Sequence, residues 1–345
     1  MSASWINKLN ESDSRLHKED VIKQALEASV LGSTNAINFL SFVKACYNPY
    51  VTFGVRQVSD TTGIVGAENP WEEFNELMLQ LSQRRLTGHA ARDAIQEMAE
   101  RFDSSEWNTF LAPVLRRDLR AGISDKTINK ICKKTDYEIP VFGCQLATNS
   151  EGRPEMKGIK RLEPKLDGVR MLLMVIPSDD STVTTICFSR NGKQFHNFPH
   201  IIKEIEAVLA AKPAPYDCVL DGEVMSADFQ DLMKQLQRKD GKKANDAVLH
   251  LFDFIPLKDF LEGGWDKPQT YRSNLVKYWV LENEDLLEHV VACEWEDVDL
   301  DTPEGEQRFV ELNKAAVDGG YEGVMIRDID APYECKRTHA WLKAK

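Results

Sequence analysis

At about Asp136 the hydrophobic pattern of this chain changes period, and that change constrains the fold more than any other feature of the sequence. Before it, apolar residues recur at spacings of three and four, as in helices with one buried face. After it, short β-branched or apolar runs alternate with turn residues, as in strands. Two domains are therefore predicted: an all-α unit over residues 1–135 and an α+β unit of mainly antiparallel sheets over residues 136–345. The 345-residue length agrees, since a domain takes roughly 150 residues.

In the first part, Lys18 to Leu31 and Asn35 to Cys46 are candidate helices, followed by an irregular stretch containing Pro49, Gly54, Gly63 and Gly66. Asn69-Pro70 predicts a helix start with proline at the first helical position, opening Trp71 to Gln83. Thr87 caps a helix through Phe102, and Ser104 or Ser105 opens Glu106 to about Arg120, within which Pro113 should interrupt the hydrogen-bond ladder. Gly122 stops that helix and Ser124 caps a last one to about Lys134. Arg116, Arg117, Arg120, Lys126 and Lys130 crowd this final helix, turn and helix. Such a segment suits phosphates through its cations and helix N-termini; a solvated helical face is the alternative reading.

Asp136 to Gly152 reads as a linker. Strands are expected at Val169 to Ile176, Val183 to Arg190, Cys218 to Met225, Val248 to Ile255 and Gly323 to Arg327. Helices are expected at Phe198 to Ala211, Phe229 to Arg238, Tyr271 to Glu282 and Glu304 to Asp318.

Composition excludes several classes. The apolar share of 42% and charged share of 28% are ordinary for a globular protein, and no run approaches the ~18 apolar residues of a membrane-spanning helix. Met1 to Lys8 has no basic segment leading into an apolar one, so a cytoplasmic protein is expected. The seven cysteines are scattered with no C-x-x-C pair, which predicts reduced, mostly buried thiols and no zinc cluster. The net charge of −12 rules out bulk attraction to nucleic acid, so any such binding must be local.

The chemistry centres on Glu163-Pro164-Lys165-Leu166-Asp167-Gly168-Val169-Arg170, followed at once by the apolar run Met171 to Ile176. A free lysine, with a pKa of about 10.4, must be lowered to attack, and a shift of about three units corresponds to roughly 4 kcal/mol. Burial and neighbouring cations such as Arg170 supply that kind of shift. Alone, the octapeptide also fits a surface lysine before a turn.

It is followed, in order, by Phe188-Ser189-Arg190-Asn191-Gly192, Leu220-Asp221-Gly222-Glu223-Val224, Leu251-Phe252-Asp253-Phe254, Tyr321-Glu322-Gly323-Val324-Met325-Ile326 and Trp341-Leu342-Lys343-Ala344-Lys345. This ordered set resembles the nucleotidyltransferase motifs of ATP-dependent DNA ligases of the phage type. Arg85 to Ala91 and Val114 to Gly122 resemble the helical DNA-binding domain of such ligases. The resemblance implies a helical DNA-binding domain at 1–135 and a nucleotidyltransferase, or adenylation, domain at 136–345.

It also implies a reaction. Lys165 would attack the α-phosphate of ATP and carry AMP, which would pass to the 5′-phosphate of a nick in duplex DNA before the 3′-hydroxyl seals it. Glu163 would read the adenine amine, Arg170 would engage phosphate or ribose, and Arg190 would meet AMP or DNA phosphates. Phe252 would stack on adenine and Val324 would close its other face. Lys343 and Lys345 would neutralise the α-phosphate. Glu223 and Glu322 would serve Mg²⁺, Glu223 also a ribose hydroxyl, while Asp221 would orient its neighbours. Lys234, Arg238, Lys239, Lys242 and Lys243 would track the nicked strand. The expected partner is nicked double-stranded DNA, with no membrane and a monomeric chain. Family ligases continue into an OB-fold domain, and this sequence ends at Lys345. The chain is therefore expected to carry AMP when supplied preloaded, with its own adenylylation and nick sealing impaired.

Overall fold

The computed structural model describes residues 1–55, 57–63, 69–83, 85–177, 183–194, 197–211, 217–226 and 246–344. The chain divides into two compact units, Met1–Phe142 and Gly143–Lys345.

The first unit is helical: α1 Ala3–Asn10, α2 Arg15–Val30, α3 Thr34–Tyr47, α4 Trp71–Ser82, α5 Gly88–Arg101, α6 Ser104–Glu106, α7 Ala112–Arg116 and α8 Asp125–Cys132. Their spacing explains the core. In α3 the buried side chains are Ala36, Phe39, Leu40, Phe42, Val43 and Cys46, and in α4 they are Phe74, Leu77, Met78 and Leu81, one face in each case. The two faces meet where Phe42 packs edge-on against Phe74 with ring centroids 5.3 Å apart.

Pro113 does disturb its helix, through a widened turn that leaves the helix intact. Trp107–Leu111 forms a π-helical turn between α6 and α7, and the Ala112 N–H bonds to the Trp107 carbonyl just ahead of the proline. The start is capped by Asp103, whose carboxylate accepts from the Ser105 and Glu106 N–H groups; the serines predicted for that role lie inside the helix. Ser124 caps α8 as expected, its hydroxyl accepting from the Thr127 N–H. The segment before α8 is pinned from beneath by Lys18, which is buried and donates to the Ala121 carbonyl at 2.6 Å.

Among the described residues the second unit carries twelve strands: β1 Leu146–Asn149, β2 Ile159–Pro164, β3 Val169–Pro177, β4 Val183–Phe188, β5 Cys218–Met225, β6 Val248–Pro256, β7 Gly264–Trp265, β8 Val290–Ala292, β9 Glu296–Asp299, β10 Val324–Asp328, β11 Tyr333–Glu334 and β12 Arg337–Ala344. They form a five-stranded sheet in the order β1-β12-β10-β2-β9, a second in the order β4-β3-β5-β6-β8, and a small β7-β11 ribbon. Both large sheets are mixed among the described strands, since β1 runs parallel to β12 and β8 parallel to β6 while their other neighbours are antiparallel. Helix α9, Pro199–Ala210, and α11, Gln269–Leu281, cover the second sheet; α10, Leu257–Leu261, follows β6, and α12, Pro303–Asp318, covers the first.

Period-two alternation assigns the faces. In β3, Met171, Leu173 and Val175 enter the core beneath α9 together with Leu220 and Val224 of β5. The intervening Arg170 and Leu172 lie opposite Glu223 and Asp221 on the other face. In the first sheet, Leu162, Val324, Ile326 and Leu342 pack inward with Val298. Glu163, Met325 and Lys343 lie side by side on the opposite face.

Candidate active site

A cavity of about 480 Å³ lies against these two polar faces. Of the residues predicted from sequence, Glu163, Lys165, Arg170, Arg190, Glu223, Phe252 and Lys343 line it together, although they come from five separate stretches of chain. Lys345 and the basic 227–245 segment lie outside the described residues.

Lys165 occupies the turn from β2 into β3, and its backbone is fastened to the segment before β10. Its N–H donates to the Gly323 carbonyl at 2.8 Å, and its carbonyl accepts from the Glu322 N–H at 3.0 Å. The Lys165 ammonium meets the Glu322 carboxylate directly. The two glycines of these motifs have steric reasons. A Cβ on Gly168 would stand 2.3 Å from the Val224 carbonyl, and Gly323, with φ of +130°, would place one 2.3 Å from the Ala344 carbonyl. Both motifs are therefore places where two backbones touch.

Phe252 reaches the cavity through an irregularity. The β5–β6 register pairs Asp221 with Asp253 but Gly222 with Leu251, so Phe252 is the extra residue of a β-bulge. A bulge re-aims a side chain, and the Phe252 ring stands edge-on to Trp341 with centroids 5.9 Å apart.

Burial pushes the Glu223 carboxyl up to about 7, against the pull of Arg170 and Lys165. Burial likewise raises Glu163, with Arg327 working against it through a 2.7 Å ion pair. Among the described residues no group of three or more His, Cys, Asp or Glu side chains could hold a metal alone. Of the two carboxylates predicted for Mg²⁺, Glu223 lines the cavity, and Glu322, which is not among its lining residues, meets the Lys165 ammonium; both are hard oxygen donors of the kind that cation takes together with phosphate and water.

Four expectations need correction. Val324 is 3% exposed and belongs to the core of the first sheet; one residue on, Met325 lines the cavity, because strand side chains alternate. Arg170 lines the cavity, but its guanidinium is committed bidentately to Asp221 and also donates to the Gln145 carbonyl, which makes it an organiser of the wall. Arg117 adopts a left-handed backbone conformation and donates to the carbonyls of Cys46, Asn48 and Val51, so it is spent on holding that loop. Arg116 donates to the Val58 carbonyl and pairs with Asp60 at 3.0 Å. Arg120, Lys126 and Lys130 are exposed, although Arg120 pairs with Asp118 and Lys130 with Glu19.

Sequence reasoning missed Arg327, Trp341 and Met325 as cavity residues. The signal was present, since Met325 and Arg327 continue the alternation that places Glu163 on the same face. The resulting charge pattern is local. Lys165, Arg170, Arg190, Arg327, Arg337 and Lys343 line the cavity against Glu163 and Glu223, in a chain of net charge −12. A polyanion with an aromatic part is the chemistry this cavity suits.

Residues 141–345 match the family model described as ATP dependent DNA ligase domain. The chain is 28% identical over 287 residues to the DNA ligase of Methanosphaera stadtmanae, covering 77% of this chain and 47% of that protein. It is 26% identical over 232 residues to the DNA ligase of Methanococcoides burtonii, covering 63% of this chain and 37% of that one. The chain thus spans about half or less of these curated relatives. A solved structure named Pmar-Lig_PreS3 is 54% identical, covering 100% of this chain and 78% of its own, with a TM-score of 0.62.

Proposed function

Since the chain belongs to the ATP-dependent DNA ligase domain family, we propose that it binds ATP in the cavity of the second unit and forms a lysyl-AMP on Lys165. The observation that carries this reading is the convergence of Lys165, Phe252 and a cation-rich wall on one cavity of about 480 Å³. The base lies at the aromatic end, near Phe252, Glu163 and Trp341, and the phosphates lie towards Lys165, Arg190 and Lys343.

In the first step the Lys165 amine attacks the α-phosphorus, a P–N bond forms and pyrophosphate leaves. The amine must first shed a proton, and the Glu322 carboxylate in contact with it is the acceptor at hand. Glu223 and Glu322 would hold Mg²⁺, which supplies charge neutralisation at the phosphate oxygens when bound. AMP then passes to the 5′-phosphate of nicked duplex DNA with cleavage of the P–N bond, and the 3′-hydroxyl displaces AMP to close the strand. The protein acts as a monomer. The helical unit supplies sequence-independent DNA affinity through Arg120, Lys126 and Lys130, the exposed members of the basic segment.

Incubation with α-labelled ATP followed by a denaturing gel tests the first step. Label should travel with the protein and disappear in Lys165→Ala, and intact-mass measurement should show one added AMP. Labelling from GTP in preference to ATP, or undiminished labelling of Lys165→Ala, would reject the reading.

A further inference from the structure

One cavity residue has no part in the steps above. Arg327 is 1% exposed, and two of its guanidinium nitrogens, Nε and Nη1, are buried without a hydrogen-bond partner among the described residues. Its Nη2 pairs with Glu163 Oε2 at 2.7 Å, whereas Asp253 Oδ2 lies 3.8 Å from Nη1. Asp253 is itself held by Arg272, with Nε to Oδ1 at 2.8 Å and Nη2 to Oδ2 at 3.2 Å. The guanidinium lies 3.9 Å from the centroid of the Trp341 ring and 4.6 Å from that of Phe252. Trp341 is fixed in turn by its indole N–H, which donates to Gln269 at 2.9 Å.

A buried guanidinium with two unpaired nitrogens costs stability, and an apolar side chain of similar volume would fill the same space at less cost. What Arg327 touches tells what it is for. Its close polar contact is with Glu163, the buried carboxylate at the aromatic end of the cavity. An ionised carboxylate accepts hydrogen bonds only, whereas a protonated one can also donate. Purine bases differ at the corresponding edge, where adenine presents an amine and guanine a carbonyl oxygen. A fixed negative acceptor therefore attracts one base and repels the other, and such an opposed group is an effective way to discriminate.

We propose that Arg327 is the positioning residue that sets base preference in this cavity, by holding Glu163 as an ionised, acceptor-only group that favours adenine over guanine. The proposal rests on the nucleotide reading given above. Arg327 does not meet the reacting atoms. It acts through Glu163, and the alternating chain Arg272, Asp253, Arg327 and Glu163 carries that charge order from α11 to the cavity wall.

The test is equilibrium binding of the α,β-methylene analogues of ATP and GTP, which cannot lose pyrophosphate, to the full chain. Wild type should favour the adenine analogue by at least about tenfold. Arg327→Met should bring the preference to within about threefold, and Arg327→Lys, which keeps a cation beside Glu163, should retain most of it. Glu163→Gln, which leaves Arg327 in place and adds a donor to the cavity, should also lose the preference; Arg327→Gln, polar but uncharged, takes the place of Arg327→Met if that variant does not fold, and should likewise bring the preference to within about threefold. A global loss of structure would weaken both analogues together and leave their ratio unchanged. An unchanged ratio in Arg327→Met whose circular dichroism matches wild type, or in Glu163→Gln, overturns the proposal. Wild type that binds neither analogue rejects the nucleotide reading itself, an outcome no Arg327 variant can imitate.

Discussion

Arg170 and Asp221 face each other across β3 and β5 as a bidentate pair, with Nε to Oδ1 and Nη2 to Oδ2 both at 2.6 Å. The Asp221 side chain is fully enclosed and also accepts from the Tyr333 hydroxyl at 2.7 Å. Breaking such a pair from one side leaves the other charge buried alone, at a cost of about 3–5 kcal/mol. Asp221→Ala should therefore lower the midpoint of denaturant unfolding strongly, and nucleotide labelling should fail with it. Asp221→Ala that is as stable as wild type would show that the pair contributes little.

Arg117 provides the contrast in the helical unit. With its donors on the carbonyls of Cys46, Asn48 and Val51, Arg117→Ala leaves three partly buried acceptors without their donors, where a fully buried one would cost about 1–3 kcal/mol. Chemical denaturation should show a clear loss of stability. Arg120→Ala and Lys126→Ala alter exposed side chains and should leave stability within about 0.5 kcal/mol of wild type. The same two changes should weaken binding to nicked duplex and make its salt dependence shallower, by about one in slope for each lost phosphate contact. Equal stability losses at all three positions would contradict this division.

Glu223 predicts a pH dependence. Its carboxyl is raised from 4.5 to about 7 in the folded protein, chiefly by burial, so between those values the folded state holds a proton that the unfolded state has released. Its contribution to stability is therefore present below about 4.5 and is lost as pH rises through about 7, by at most about 3 kcal/mol. Glu223→Gln stays neutral and should flatten stability over that window. Unfolding curves at several pH values check this, and an unchanged slope in the variant would count against it.

Lys165→Arg separates charge from nucleophilicity. The guanidinium keeps a cation beside Glu322, so folding should persist, but it stays protonated at working pH and cannot attack. Circular dichroism should match wild type while labelling by α-labelled ATP vanishes; retained labelling would place the nucleophile elsewhere.

Much of the architecture was legible because periodicity is a local property. The helices around Phe39 and Phe74 and the strands at Val169 and Cys218 follow from which side of each element is apolar. The widened turn before Pro113 was half legible, since a missing N–H predicts a disturbance but not its form. Strands β1, β2 and β9 gave little warning. Ile159–Pro164 carries three charged residues that are all buried, because Lys160 pairs with Asp328, Arg161 with Asp297 and Glu163 with Arg327.

The sequence by itself determined the two textures, the order of the motifs and the lysine proposed to carry AMP. Only the tertiary structure decided which neighbours face the cavity and which arginines are already spent. A one-residue step along β10 separates Val324 in the core from Met325 in the cavity wall. The bulge that turns Phe252 inward exists only as a mismatch between two strands. Arg117, Arg170 and Arg327 carry the same charge in the sequence. What each one does follows from the acceptor it meets, and for a guanidinium out of water that acceptor is supplied by distant parts of the chain.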